Sequence, residues 1–84
     1  MFSKEIFGQR LYEIRVQHKE TQDELGAVIS TGRTAVSEME RGNRTTTAEK
    51  IVMICRHYHV SADYLLGLSD DRNGGCERWT DEEE

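Results

Sequence analysis

No stretch of this 84-residue chain comes near the roughly 20 consecutive apolar residues that a bilayer crossing needs. Nor does an apolar signal-peptide segment follow Met1, so the expectation is a soluble, cytoplasmic protein with no membrane partner. Cysteine is scarce. Cys55 stands in an apolar-periodic segment and Cys76 in a Gly-rich tail, a placement unlike a disulfide framework or a metal-ligand spacing, and both are read as reduced thiols. His18, His57 and His59 do not add up to a metal set, because a His-x-His at a helix end points its rings apart. No metal or other cofactor is therefore expected. The chain also lacks β-alternation and any ordered set of nucleophile, base and orienting group. A chain this short supports one core but no deep catalytic cavity beside it, so an enzyme is not expected.

A surplus of positive charge is missing too: the formal net charge is −5. Residues 1–69 hold nine Lys/Arg and nine Asp/Glu, whereas residues 70–84 hold two Arg and seven acids, so the imbalance sits entirely at the end of the chain. Two units follow: a folded domain over 1–69 and an acidic, largely flexible tail over 70–84. Gly74-Gly75 breaks that tail and Asp81-Glu82-Glu83-Glu84 repels itself. Trp79 is the one large ring there with a reason to pack, on this domain or on a second subunit. A neutral domain still grips phosphate if its cations cluster on one face, with an affinity that falls steeply with salt.

What is present is helical periodicity. Phe7, Leu11, Ile14 and His18 recur at four- and three-residue steps, which predicts a first helix over 4–18 with Gln9, Arg10, Glu13 and Gln17 left wet. Thr21 with Glu24 forms a capping box opening a second helix to about residue 28, its inward stripe made by Leu25 and Ile29. Gly26 within it suggests close approach of a neighbouring helix. After Ser30-Thr31-Gly32 comes an amphipathic run over 33–41, closed by Gly42. Arg33, Thr34, Ser37, Glu38 and Arg41 share one half of its circumference, and Ala35, Val36 and Met39 the other. Glu40 falls at the boundary, where a buried carboxylate needs a cation, and Arg15 on the first helix is the candidate partner.

Thr46 and Glu49 offer a second capping box for a fourth helix, in which Ile51, Ile54, Cys55 and Tyr58 fall at helical steps and Cys55 is a small core residue. Ser61 caps a short fifth helix over 62–66 ended by Gly67, with Leu65, Leu66 and Leu68 closing the bottom of the core. Two short helices joined by a tight turn, the second with a polar face outward, suit the major groove of B-DNA. That groove admits one helix while its partner braces it from behind.

The residues Phe7-Gly8-x-Arg10-Leu11, Ile14-Arg15, Thr21-Gln22-x-Glu24-Leu25, Glu40-Arg41-Gly42 and Val60-Ser61-x-x-Tyr64-Leu65-Leu66-Gly67 resemble the lambda-repressor-like, Xre-type helix-turn-helix family over about residues 7–67. The resemblance implies an all-α, compact five-helix DNA-binding domain whose third helix enters the major groove. It also implies a homodimer on a palindromic operator of double-stranded DNA, acting as a repressor. By the same resemblance Arg33, Thr34 and Glu38 match base-reading positions with Ser37 beside them. Arg33 suits guanine O6 and N7, Thr34 a thymine methyl, and Glu38 cytosine N4. Gln22 matches a phosphate-contacting glutamine, helped by the positive end of its helix, while Arg44 and Asn43 fall in a phosphate-gripping loop. Arg15 and Glu40 match a buried ion pair.

Three positions depart from the family pattern. Ser30 stands where the turn usually carries Gly, so it is expected to take a left-handed conformation at a cost of about 1 kcal/mol or to shift the turn. Gly32 replaces a Ser or Thr cap and offers no side-chain acceptor. Glu20 occupies a place where an apolar residue commonly seals the first loop. A second reading, carried by the acidic tail, is an antitoxin or protein-interaction module that binds a partner protein.

Overall fold

Capping residues set the ends of the helices. The computed structural model describes residues 3–71, in which five helices follow in order: α1 (Lys4–Gln17), α2 (Gln22–Val28), α3 (Arg33–Glu40), α4 (Ala48–Tyr58) and α5 (Ala62–Leu65). Among the described residues there is no strand, and no helix is long and apolar enough to cross a membrane. Expectations for Cys76, Trp79 and residues 72–84 of the acidic tail lie outside the described residues.

Ser3 opens α1 by accepting from the Ile6 N–H, and Ser61 opens α5 by accepting from the Tyr64 N–H. At α2 the Thr21 hydroxyl accepts from the Glu24 N–H at 3.1 Å while the Glu24 carboxylate accepts from the Thr21 N–H at 2.7 Å, so both halves of the capping box form. Gly32 precedes α3 with no side-chain cap. The cap of α4 corrects the sequence reading: Thr47, not Thr46, accepts from the Lys50 N–H, at 3.2 Å. Glu49 thus lies one residue too early for a box with Thr47.

Phe7, Leu11 and Ile14 of α1 meet Leu25 and Ile29, Val36 and Met39 of α3, and Ile54, Cys55 and Tyr58 of α4 in one buried cluster, closed by Val60 and Leu65. Burying side chains of this size stabilises by roughly 1.5–3 kcal/mol each, enough to hold the helices together. Three expectations fail at its edge. His18 is exposed as the C-cap of α1, its ring leaning on Tyr58 with centroids 4.8 Å apart. Leu68 is 61% exposed, because the positive φ of Gly67 turns the chain outward after α5. Arg10 is not wet: its guanidinium donates to the Tyr64 and Ser69 carbonyls at 2.6 and 2.8 Å, pairs with Asp70 at 2.9 Å and lies over the Tyr64 ring. It clamps the chain that leaves α5 against α1.

Two glycines let α3 come close. A Cβ on Gly8 would collide with the Met39 carbonyl and sit 2.9 Å from that of Glu40, so α1 crosses the end of α3 at backbone contact. A Cβ on Gly26 would lie 2.7 Å from the Thr31 carbonyl; the close neighbour there is the turn into α3 rather than a helix. In that turn Ser30 takes the left-handed conformation, φ 59°. Glycine there would relieve about 1–2 kcal/mol of strain and lose about 0.4–1 to the freer unfolded chain. Ser30→Gly is therefore expected to raise stability by about 0.5–1 kcal/mol, read as a melting temperature a few degrees higher. An unchanged or lower midpoint would mean that the seryl side chain contributes more than its backbone strain removes.

Candidate nucleic-acid interface

The side chains of α3 split as its apolar spacing requires. Val36 and Met39 are buried, whereas Arg33 and Thr34 stand exposed at its start and Ser37 and Glu38 are half-buried. The Arg33 side chain makes no hydrogen bond or ion pair with another described residue, so its guanidinium keeps its full fork of donors. Glu38 does not share that freedom. Its Oε1 accepts from Asn43 Nδ2 at 3.0 Å, and Arg41 Nη1 lies 3.8 Å from its Oε2. The structure thus joins Asn43, expected at a phosphate, to Glu38, expected at a base.

Behind α3 a polar network fixes its far end. Arg15 donates through Nε and Nη2 to Glu40 Oε2 and Oε1 at 2.6 and 3.0 Å, the bidentate geometry that a guanidinium favours. The side chains are 11% and 5% exposed. The hydrogen bond to Glu40 raises the Arg15 pKa against the opposing effect of burial, which keeps the guanidinium charged. Gln22 joins this network, its Nε2 donating to Glu40 Oε1 at 3.0 Å. Gln22 also shares a cleft of about 490 Å³ with Arg33, walled by Arg15, Lys19 and Glu20. Arg44 lies on another side of α3, in a cleft of about 280 Å³ with Thr45, Thr47 and Lys50. The ammonium of Lys50 reaches the Ser30 carbonyl at 3.3 Å.

Lys19 and Lys50 are further cations that line these clefts and that the sequence did not single out. Lys19 and Lys50 carry no local motif; the fold places Lys19 in the cleft of Arg33 and Lys50 in that of Arg44. Glu20 gains partners 37 and 38 residues away in sequence. Its Oε1 accepts from the Tyr58 hydroxyl at 2.7 Å and its Oε2 lies 2.8 Å from His57 Nε2. Burial alone would push the Glu20 carboxyl up, but the hydrogen bonds from Tyr58 and His57 outweigh it and hold the group below the ordinary glutamate value. Burial and the bond to Glu20 both push the Tyr58 phenol up, so it remains a donor across the physiological range. No three His, Cys, Asp or Glu side chains among the described residues form a group that could hold a metal.

Two helices at a tight turn, the second outward-facing and braced, are matched by a model of the helix-turn-helix family over residues 11–65. The chain belongs to the helix-turn-helix family. Its curated relatives include the uncharacterized HTH-type transcriptional regulator YobD of Bacillus subtilis, 34% identical over 73 residues that make up 87% of this chain and 65% of that protein. The HTH-type transcriptional regulator ImmR of the same organism is 35% identical over 63 residues, 75% of this chain and 50% of its own. The chain thus spans half to two thirds of these relatives. Among solved structures, the P22 c2 repressor protein in complex with synthetic operator 9T superposes with a TM-score of 0.70 at 27% identity, covering 75% of this chain and 96% of that one. The restriction-modification controller protein C.AhdI from Aeromonas hydrophila gives 0.66 at 27% identity over 74% and 90%. Among the described residues of this helix-turn-helix domain the regular elements are all helices, like the fold that the resemblance implied.

Proposed function

We propose that this domain is a transcriptional regulator of the cytoplasm that binds double-stranded DNA by inserting α3 into the major groove. In this reading it acts as a homodimeric repressor on a two-fold symmetric operator. The observation that carries the reading is the exposed start of α3, where Arg33 and Thr34 project from a helix braced by backbone contact with α1 and by the Arg15–Glu40 pair. The similarity to the P22 c2 repressor, itself solved with an operator, supports it.

Arg33 reads guanine through N7 and O6 and Thr34 meets a thymine methyl, with Ser37 beside them. Glu38 accepts from cytosine N4 through a carboxylate lone pair that the single bond from Asn43 leaves open. Gln22 has a second amide proton, beyond the one on Glu40, for a phosphate at the start of α2. Arg44 contacts phosphate from the loop before α4, with Asn43 beside it.

Selection of bound duplexes from a random pool tests the whole reading: enrichment of a two-fold symmetric site is expected, and no enrichment at low salt would end it. The two arginines separate by role. Arg33→Ala is expected to weaken the selected site by about 1–3 kcal/mol and relax preference at one position, whereas Arg44→Ala should weaken all sequences alike and lower the salt slope by about 1. Titrations at several salt concentrations decide between them, and the reverse pattern would exchange the two assignments.

A further inference from the structure

Glu20 touches more of the framework behind the interface than any local motif requires. Its carboxylate is held by Tyr58 and His57 at the end of α4. Its main-chain carbonyl accepts from Arg15 Nη1 at 2.7 Å, and its N–H donates to the Arg15 carbonyl at 3.1 Å. That guanidinium also holds Glu40 at the end of α3, and Glu40 receives Gln22. The residue after Glu20 is Thr21, the N-cap from which α2 starts. Movement of one loop residue would therefore shift the cap of α2, the aim of Arg15 and the seat of Gln22 together.

An acid in this place is also electrostatically wrong for an anion-binding surface. Glu20 walls the same cleft as Gln22 and Arg33, where a carboxylate lowers the attraction for phosphate. We propose that Glu20 is a positioning residue for duplex binding, pinning the start of α2 and the Arg15 guanidinium to the end of α4. The proposal rests on the DNA-binding reading above.

The sign of one substitution separates this role from that of a spectator charge. Removing a spectator acid beside phosphate tightens binding, most at low salt. Removing a positioning residue loosens it. Glu20→Ala is expected to bind about fivefold more weakly, the low end of coupling between linked sites. Glu20→Gln loses the charge but keeps the contacts, its amide oxygen accepting from Tyr58 and its N–H donating to an imidazole nitrogen of His57. It is expected to match the parent or bind more tightly.

The probes are a duplex carrying the site selected above and a mixed-sequence duplex of equal length, titrated where circular dichroism shows each variant folded. Should Glu20→Ala fail to fold, Tyr58→Phe removes one of the two carboxylate contacts at constant core volume and is expected to weaken binding by about two- to threefold. Unchanged or tighter binding by Glu20→Ala, equal loss in Glu20→Gln, or unchanged affinity in Tyr58→Phe overturns the positioning role alone. Failure of the parent to bind either duplex overturns it together with the DNA-binding reading.

Discussion

Arg15→Ala is expected to lower the stability of the domain by about 3 kcal/mol, at the low end of the range for breaking a buried ion pair. The loss arises from what stays behind. The Glu40 side chain is 5% exposed, so without the guanidinium its carboxylate remains inside with Gln22 as its one other side-chain donor among the described residues. The Glu20 carbonyl loses its donor in the same step. Retention of Gln22 is the reason for choosing the lower figure. For a domain of this size the melting temperature should fall by roughly 12–24 °C. Arg15→Lys is expected to recover little, because an ammonium cannot present the fork that spans both Glu40 oxygens and still reach Glu20. Denaturant and thermal melts by circular dichroism read the effect, and a midpoint within a few degrees of the parent would show that the pair contributes no net stability.

Gly8→Ala is expected to destabilise by about 2–3 kcal/mol and to weaken duplex binding by the folded protein. Helix propensity argues the other way, since alanine within a helix is favoured over glycine by up to about 1 kcal/mol. The steric effect is larger because the added methyl meets main-chain oxygens of Met39 and Glu40 rather than the yielding end of a side chain. Relief requires α1 to back away from α3, and that movement stretches the Arg15–Glu40 bonds on the same pair of helices. Stability and binding therefore fall together. Melting curves and titrations on the selected duplex test the coupling; a variant as stable as the parent and equally tight would mean that the helices separate freely.

The two experiments probe different aspects of one arrangement. Apolar burial holds α1 and α3 together but is nondirectional, so it leaves the rotation and tilt of α3 loosely set. The Gly8 crossing sets the distance between these helices and the bidentate pair sets the angle at the end of α3. Together they decide where Arg33 and Thr34 point.

Much of this was legible in the chain. The Thr21–Glu24 box, the inward positions of α1 to α4 and the Arg15–Glu40 pair all follow from spacings of three and four residues or from a carboxylate at an apolar boundary. Where local chemistry allows two answers, the chain alone does not choose between them. Thr46 and Thr47 are both good caps, and the box pattern favoured Thr46, yet α4 begins after Thr47. Leu68 counted as apolar and hence as core, but nothing local shows that the chain turns outward after Gly67. Arg10 counted as polar and hence as wet, although its acceptors, Tyr64 and Ser69, lie 54 and 59 residues away.

The amino-acid order alone determined the helices, which faces they bury and which helix carries a polar outer surface, because caps and 3.6-residue periodicity act within a few residues of each other. Tertiary structure decided the rest. It engaged Gln22 with Glu40 and gathered Tyr58 and His57 around Glu20. These pairings depend on distances between helices, set when nondirectional apolar packing and directional hydrogen bonds are satisfied together.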